Sequence, residues 1–227
     1  MPRVLIAILS CHALRHFEDV QRHTWIKDLP PEVDHRFFLG YAPVFALEDD
    51  EEYLDVGDAF SDVTEKSVAM HRWALDHGYD FIFKADLDTY VRPTLLMHSG
   101  FEQWDYTGGE NVQGVAFASG GSGYWLSRHA MQCVVSAEVV PGPAEDLHVA
   151  RVLQSKGILL HPDGRYRFCP GDTMYDSTIT MHLSSVRGWV VKYRPEWMYE
   201  AYAAKGDYSP SVEPIAVPAR RFQRLRR

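Results

Sequence analysis

The spacing of hydrophobic and polar residues changes several times along the chain, and each change marks an element. Residues 3–9, RVLIAIL, form an unbroken apolar run, the pattern of a strand covered on both faces. Residues 15–27 switch to helical spacing, with Phe17, Val20, Thr24 and Ile26 on the inner side. DHRFFLGY at 34–41 predicts a second strand that stops at a glycine, and the acidic stretch EDDEEY after it reads as a solvated connection. Val63, Ser67, Met70 and Ala74 share one face of a helix over 63–77, which Gly78 ends. YDFIFKA at 79–85 is the third strand. Strand, helix, strand, helix, strand predicts parallel pairing in an α/β sheet.

The second half is less regular. DYTGG and VAFASGGSGYWLS combine short strands with glycine turns, and 127–136 reads as a helix. A further helix starts near Ala144, turning Val149, Val152 and Leu153 inward. Short strands are expected around 158–160, 166–168 and 178–182. No repeat, low-complexity block or long linker divides the chain, so one domain is expected over 1–205, with a Pro/Arg-rich tail at 206–227.

Composition narrows the class. With 227 residues and 46% hydrophobic content the chain can bury a substantial core. A net charge of −8 repels nucleic acid and anionic membrane unless charge is segregated. Segregation occurs in PARRFQRLRR, where five arginines fall in the last eight residues. That segment reads either as a frayed tail or as an arm for phosphate-rich partners, the one route by which nucleic acid enters. Cys11, Cys133 and Cys169 show no CxxC spacing and fit neither a disulfide framework nor a zinc knuckle, which points to a reducing compartment. The apolar run at 4–9 is too short for a signal segment, and no run approaches the ~20 residues of a membrane span. The expectation is a soluble chain without a membrane span, in the cytoplasm of a bacterium or an infected host cell, or else a soluble fragment of a secretory-pathway enzyme.

The chemistry concentrates at FIFKADLDTYV. Asp86 and Asp88 stand one residue apart where a strand ends, and ligands of open α/β sheets bind beyond the carboxyl ends of strands. Carboxylates that converge there repel unless a divalent cation such as Mg²⁺ or Mn²⁺ sits between them and a polyphosphate. Two enzyme classes use such a string: phosphotransferases of the haloacid dehalogenase type, and nucleotide-sugar glycosyltransferases. The first class places it after the first strand; here about 80 residues precede it, and the mid-chain position favours the second. Ser10, Cys11 and His12 occupy the turn after the first strand, so a G-x-G-x-x-G fingerprint is absent. Arg22, Asp58 and Lys66 are candidate nucleotide contacts, or else surface charges on helices. Gly120, Gly121 and Gly123 form either a simple turn or a surface on which a sugar packs against backbone, with Tyr124 and Trp125 offering rings. Glu145 and Asp146 stand in a helix's first turn, where negative charge is favoured whatever its function.

Five ordered segments resemble glycosyltransferase family 31, which includes β1,3-galactosyltransferases, β1,3-N-acetylglucosaminyltransferases and Fringe. RHTW at 22–25 resembles the family's R-x-[ST]-W, and DAFSDVTEKS at 58–67 is similar to D-x-Y-x-N-L-T-x-K-T. KADLDTYV matches K-x-D-D-D-x-[FY]-V, ASGGSGYWLS resembles S-G-G-x-G-Y-x-[LM]-S, and EDLHVARVL looks like E-D-V-x-[VT]-G with Ala150 at the final glycine. The resemblance implies a GT-A fold: a Rossmann-like nucleotide-binding half (1–92), an acceptor half (93–205) and a mixed central sheet. It implies a UDP-sugar donor, Mn²⁺ or Mg²⁺, inversion at the anomeric carbon, and a glycan or glycoconjugate acceptor with a β1,3-type linkage. By position, Asp86, Asp88 and His182 would hold the metal, and Asp146 would be the catalytic base. Ser10, Arg22, Asp58, Lys66, Lys84, Asp86 and Leu87 would line the nucleotide-sugar site. Gly120, Gly121, Tyr124, Trp125 and Glu145 would form the sugar and acceptor pocket. The scarcity of cysteines suggests a compact bacterial or viral relative. The rivals are a phosphotransferase using Asp86 and Asp88, and a glycan- or nucleic-acid-binding module that keeps the fold without catalysis.

Overall fold

The computed structural model describes residues 2–42, 46–167, 174–183, 185–187, 190–192 and 194–206. The expected tail beyond 206 and the end of the expected strand at 166–168 lie outside the described residues, as does Cys169. In chain order the elements are β1 (Val4–Leu9), α1 (Glu18–Arg22), β2 (Asp34–Gly40), β3 (Glu51–Leu54), α2 (Val63–Asp76), β4 (Phe81–Asp86), β5 (Thr89–Val91) and α3 (Pro93–Met97). They continue with β6 (Tyr106–Gly108), β7 (Glu110–Val112), β8 (Ala116–Ala118), β9 (Tyr124–Ser127), α4 (Arg128–Ser136) and α5 (Glu145–Ser155). The described chain closes with β10 (His161–Pro162), β11 (Tyr166–Arg167), β12 (Thr180–His182), β13 (Ser185–Arg187), β14 (Val190–Lys192) and α6 (Pro195–Gly206).

Seven strands form one mixed sheet in the order β10-β6-β9-β4-β1-β2-β3. β1, β2, β3 and β4 run parallel, as the alternation of strands and helices predicts. β9 runs antiparallel to both β4 and β6, which makes the sheet mixed. Alternate residues of the central strands enter two separate cores. Val4, Ile6, Ile8, Phe37, Phe83 and Trp125 pack on one face with Val20 and Trp25 and with Met198 of α6. Leu5, Ala7, Phe38, Ile82, Tyr124 and Leu126 pack on the other with residues of α2, α4 and α5. Burial on both faces accounts for the unbroken apolar run of β1. A smaller sheet, β11-β12-β5, stands beside the end of β4. Among the described residues no helix is long and apolar enough to cross a membrane.

Three expectations are corrected. The helix expected over 15–27 is broken into a 3₁₀ turn at His12–Phe17, the short α1, and a second 3₁₀ turn at Ile26–Asp28. Thr24 turns its buried hydroxyl onto the carbonyl of Val20, and its N–H bonds the Gln21 carbonyl three residues back, as Asp28 does to Trp25, so the chain tightens to 3₁₀ spacing after α1. The acidic stretch EDDEEY is not wholly a solvated connection: its second half begins β3, with Glu51 buried under a two-point grip from Arg15. The described chain ends in α6, entered at Pro195, where short strands were expected to close the domain.

The corrected region is held by charge. Glu18 is 0% exposed, accepts a hydrogen bond from the Ser10 hydroxyl and pairs with Arg22 at 3.0 Å, beside Glu51. Burial and the hydrogen-bonded Glu51 push its carboxyl up to about 8. Burial also works against ionised Glu51, but the Arg15 fork holds that carboxyl below the usual range. A carboxyl raised in the folded state contributes stability that is complete below the unfolded value and is lost as pH climbs through the folded one. For Glu18 that window runs from about 4.3 in the unfolded chain to the folded value of about 8. Melting temperature should therefore fall between about pH 5 and 8, and Glu18→Gln should flatten that fall while keeping a donor toward Glu51. Identical pH slopes for the two proteins would contradict the shared proton.

Candidate active site at the carboxyl ends of β1 and β4

From β1 the chain moves outward to β2 on one side, while β4 lies on the other, and it is in the crevice beyond the carboxyl ends at such a reversal that open α/β sheets bind ligands. Leu9 pairs with Asp86 in the β1–β4 register, which sets the Ser10–Cys11–His12 turn level with the two aspartates. The turn from β4 to β5 is pinned from several sides. The Thr89 hydroxyl accepts the Asp86 N–H at 2.9 Å and donates to the Gly121 carbonyl at 2.9 Å. The buried Gln21 amide donates to the Asp86 carbonyl at 2.9 Å. Leu87 turns its side chain into the core, and the two aspartates diverge.

Asp86 turns to Lys84, whose side chain is only 1% exposed. The ammonium lies 2.7 Å from Asp86 Oδ1 and 2.6 Å from Glu145 Oε1, and donates to the Gly120 carbonyl at 3.3 Å. The other Glu145 oxygen accepts the Tyr124 hydroxyl at 2.7 Å and that of Ser67 at 3.3 Å. Burial disfavours a charged lysine, yet Asp86 and Glu145 outweigh it and hold Lys84 well above the ordinary lysine range. Burial, with Asp88 and Glu145 nearby, pushes the Asp86 carboxyl up to about 6 against the pull of Lys84. One third of the Asp86 side chain remains exposed toward the crevice.

Asp88 turns to His182, with Oδ2 3.1 Å from Nε2. Antiparallel pairing of β12 with β5 sets His182 opposite Thr89, which delivers the ring to the aspartate turn. A Cβ on Gly121 would come within 2.8 Å of that ring, and a Cβ on Gly120 within 2.4 Å of Glu145 and 2.8 Å of Lys84. The two glycines thus make room for the site's own side chains. Among the described residues no group of three or more His, Cys, Asp or Glu side chains is disposed to hold a metal ion, and Asp86 is paired with Lys84. Asp88 and His182 nevertheless offer one oxygen and one nitrogen at a separation close to the ~3 Å between adjacent ligands of an octahedral ion with bonds of about 2.1 Å. This pair of one carboxylate and one imidazole could take part in holding a divalent transition-metal ion, with Asp86 alongside.

Asp146, in the first turn of α5, accepts the Gly120 N–H at 3.0 Å and the Leu147 N–H at 2.8 Å. Burial and the neighbouring Glu145 raise its carboxyl above the usual aspartate range, against the pull of those amides and of Lys84. It remains partly open to solvent. The glycine turn therefore contacts both acidic groups of α5.

The remaining candidates fall into two groups. Ser10, Asp58 and Lys66 gather at the ends of β1 and β2. Lys66 donates to the Ser10 carbonyl at 2.6 Å and pairs with Asp58 at 2.7 Å, while Asp58 accepts the backbone N–H groups of His12 and Gly40. Arg22 lies behind this floor, gripped by Asp50, Glu18 and Asp19 over the face of Phe37. Trp125, expected to offer its ring to a sugar, is 0% exposed on the opposite sheet face, stacked 3.8 Å from Phe101 and bonded to the Tyr166 hydroxyl. Its register opposite Phe83 puts it there. Tyr124 is equally buried but faces Lys84, and its hydroxyl is its contribution. Gln21, Ser67 and Thr89 support the site without having stood out as site residues: Gln21 lies in none of the five segments, and Ser67 and Thr89 are uncharged members of DAFSDVTEKS and KADLDTYV.

Removing the Lys84 charge strands two buried carboxylates, a change that typically costs about 3–5 kcal/mol. Lys84→Met should lower stability by that order in urea unfolding, and adding Glu145→Gln should recover part of the loss. A double variant no more stable than Lys84→Met would mean that Glu145 and Lys84 are not coupled.

No protein-family model matches the chain, and no curated protein matches it.

Proposed function

We propose that the protein is a metal-dependent, inverting glycosyltransferase of the GT-A type, moving a hexose or N-acetylhexosamine from a UDP-sugar to a hydroxyl of a glycan or glycoconjugate. The observation that carries this reading is a convergence. Lys84, Asp86 and Asp88 from the β4 turn, the glycine turn at 120–121, Asp146 of α5 and His182 of β12 all meet at one crevice. Four of the five segments resembling family 31 contribute to it or to its floor. The mixed sheet, with parallel β3-β2-β1-β4 on one side and antiparallel β9 on the other, agrees with the Rossmann-like half that the resemblance implies.

A divalent cation held by Asp88 and His182, with Asp86 alongside, would supply Lewis-acid stabilisation of charge on a departing diphosphate. Lys84, 2.7 Å from Asp86, pulls its carboxyl toward the ionised form against burial and the neighbouring carboxylates. Asp146 serves as general base. Attack by an acceptor hydroxyl at the anomeric carbon requires a group to take its proton, and a carboxylate with raised proton affinity does this better than an ordinary one. The Gly120 and Leu147 N–H groups fix its oxygens, and its partial exposure lets the proton leave to solvent after transfer. Because the base must be ionised, turnover should fall as the pH drops through the raised Asp146 value.

The test is UDP release from a panel of UDP-sugars, with Mn²⁺ and with EDTA. Metal-dependent release is expected, and Asp146→Asn should retain UDP and Mn²⁺ binding while losing about 10²–10⁴-fold in rate. Asp88→Asn should abolish metal-dependent UDP binding by calorimetry. Phosphate release from p-nitrophenyl phosphate with every UDP-sugar left intact would replace this reading with the phosphotransferase.

A further inference from the structure

Behind the Lys84–Glu145 pair, the interface of α2 and α5 carries polar residues where a core seam would be apolar. Thr64, Ser67 and His71 recur at positions i, i+3 and i+7 of α2, and Glu145 and His148 at i and i+3 of α5. Thr64 is satisfied by the Gly142 carbonyl and Ser67 by Glu145. His71 is not: it is 0% exposed, and both ring nitrogens lack a hydrogen-bond partner among the described residues. The same holds for Nε2 of His148 and Oε2 of Glu65, both on this pair of helices. The groups sense one another, since Glu145, Lys84 and His148 act electrostatically on His71, and Glu145, Arg151 and Glu65 on His148.

A neutral imidazole has one donor and one acceptor nitrogen, and leaving both unmade in a core costs stability. An apolar side chain of similar size would remove that cost. Buried polar atoms clustered in this way are the sites where internal water is held, typically with about three hydrogen bonds per molecule. Burial, with Lys84 opposing the charged form and Glu145 favouring it, pushes the His71 imidazole down to about 4. His71 is therefore neutral at ordinary pH and acts through hydrogen bonding rather than charge.

We propose that His71 is a positioning residue. Through water shared with His148, it holds the Glu145 carboxylate in the orientation that bridges Lys84, and so keeps Lys84 on Asp86 and the first turn of α5 in register with the glycine turn. The proposal rests on the reading of the Lys84–Asp86–Glu145 cluster as part of the transferase site. The cost of the polar ring is borne by the fold, and its return is the alignment of the neighbouring Asp146.

The test compares wild type, His71→Leu and the conservative His71→Gln in the full chain. His71→Leu should raise the melting temperature by a few degrees, as removal of a poorly satisfied buried polar group does. It should lower kcat for UDP-sugar turnover by about tenfold or more while leaving KM for the UDP-sugar near wild type, because alignment rather than donor binding is lost. His71→Gln should restore most of kcat. Stabilisation with unchanged kcat would reduce His71 to tolerated packing and overturn the proposal, as would a lower melting temperature in His71→Leu. A readout independent of turnover is ¹⁵N NMR of the His71 ring in the wild-type protein. One fixed neutral tautomer at pH 7 is expected, and rapid averaging between two tautomers would show that no partner holds the ring. If no UDP-sugar is turned over, the transferase reading fails, while the tautomer and melting measurements still decide whether His71 is held.

Discussion

The buried ammonium of Lys84 is the constraint on which the rest of the site depends. Three acidic side chains, Asp86, Glu145 and Asp146, crowd its surroundings, and Asp88 follows two residues after Asp86. Burial by itself disfavours the charged form of a lysine and of a carboxylate alike. Asp86 and Glu145 outweigh the burial that opposes the lysine's charge, and Lys84 pulls against the burial that raises Asp86, so the central strand, the glycine turn and the first turn of α5 are tied to one electrostatic unit. The geometry follows from that unit. Lys84 reaches Glu145 only because the side chain at 120 is absent, and the Gly120 backbone, held close, offers its carbonyl to Lys84 and its N–H to Asp146.

The two faces of the main sheet divide the labour. The face carrying Phe83, Trp125 and Phe101 is closed by stacked rings, and the Trp125 N–H there is satisfied by the Tyr166 hydroxyl. The face carrying Lys84 and Tyr124 is apolar at its far end, where Leu5, Ile82 and Leu126 meet α4, and polar where it approaches the strand ends. The antiparallel placement of β9 produces this division: alternation along YWLS sends Tyr124 to the charged side and Trp125 to the dry one. A shift of one residue in that register would exchange the two rings and leave Glu145 without the Tyr124 hydroxyl.

How much of this could be read from the sequence follows from what is local. The parallel core and its strand ends were legible, because β1 carries a continuous apolar run, β2 and β4 the shorter apolar stretches FFL and FIF, and α2 a clear helical face. The aspartate turn was legible as chemistry for the same reason: two carboxylates at a strand end stand out against FIFK. β3 was not, since Glu51 looks like a solvent residue until Arg15, far away in the chain, is seen to bury it. α1 was misjudged because periodicity cannot report the side-chain hydrogen bond of Thr24. The glycines at 120 and 121 announced a close approach, but the pattern could not say that the approaching groups are Glu145, Lys84 and His182 rather than a ligand. Gln21 and Thr89 fix the aspartate turn through side-chain hydrogen bonds to backbone, a function without a spacing signature.

What escaped the pattern shares one physical character: polar residues at buried positions whose partners come from another element. Ser67 and His71 lie on the inner face of α2, where helical spacing predicts apolar residues, and Glu145 lies on the inner face of α5. A core built only for stability would place leucine or methionine at such positions, since a buried ion pair is on balance no better than a well-packed apolar substitute. Their concentration within reach of Lys84, and the apolar packing of the same helices farther along at Ala74, Val149 and Leu153, separates the two demands along the length of each helix. The distal turns of α2 and α5 hold the fold. Their proximal turns hold the charges at the strand ends, and the energetic cost of doing so is confined to that end of the molecule.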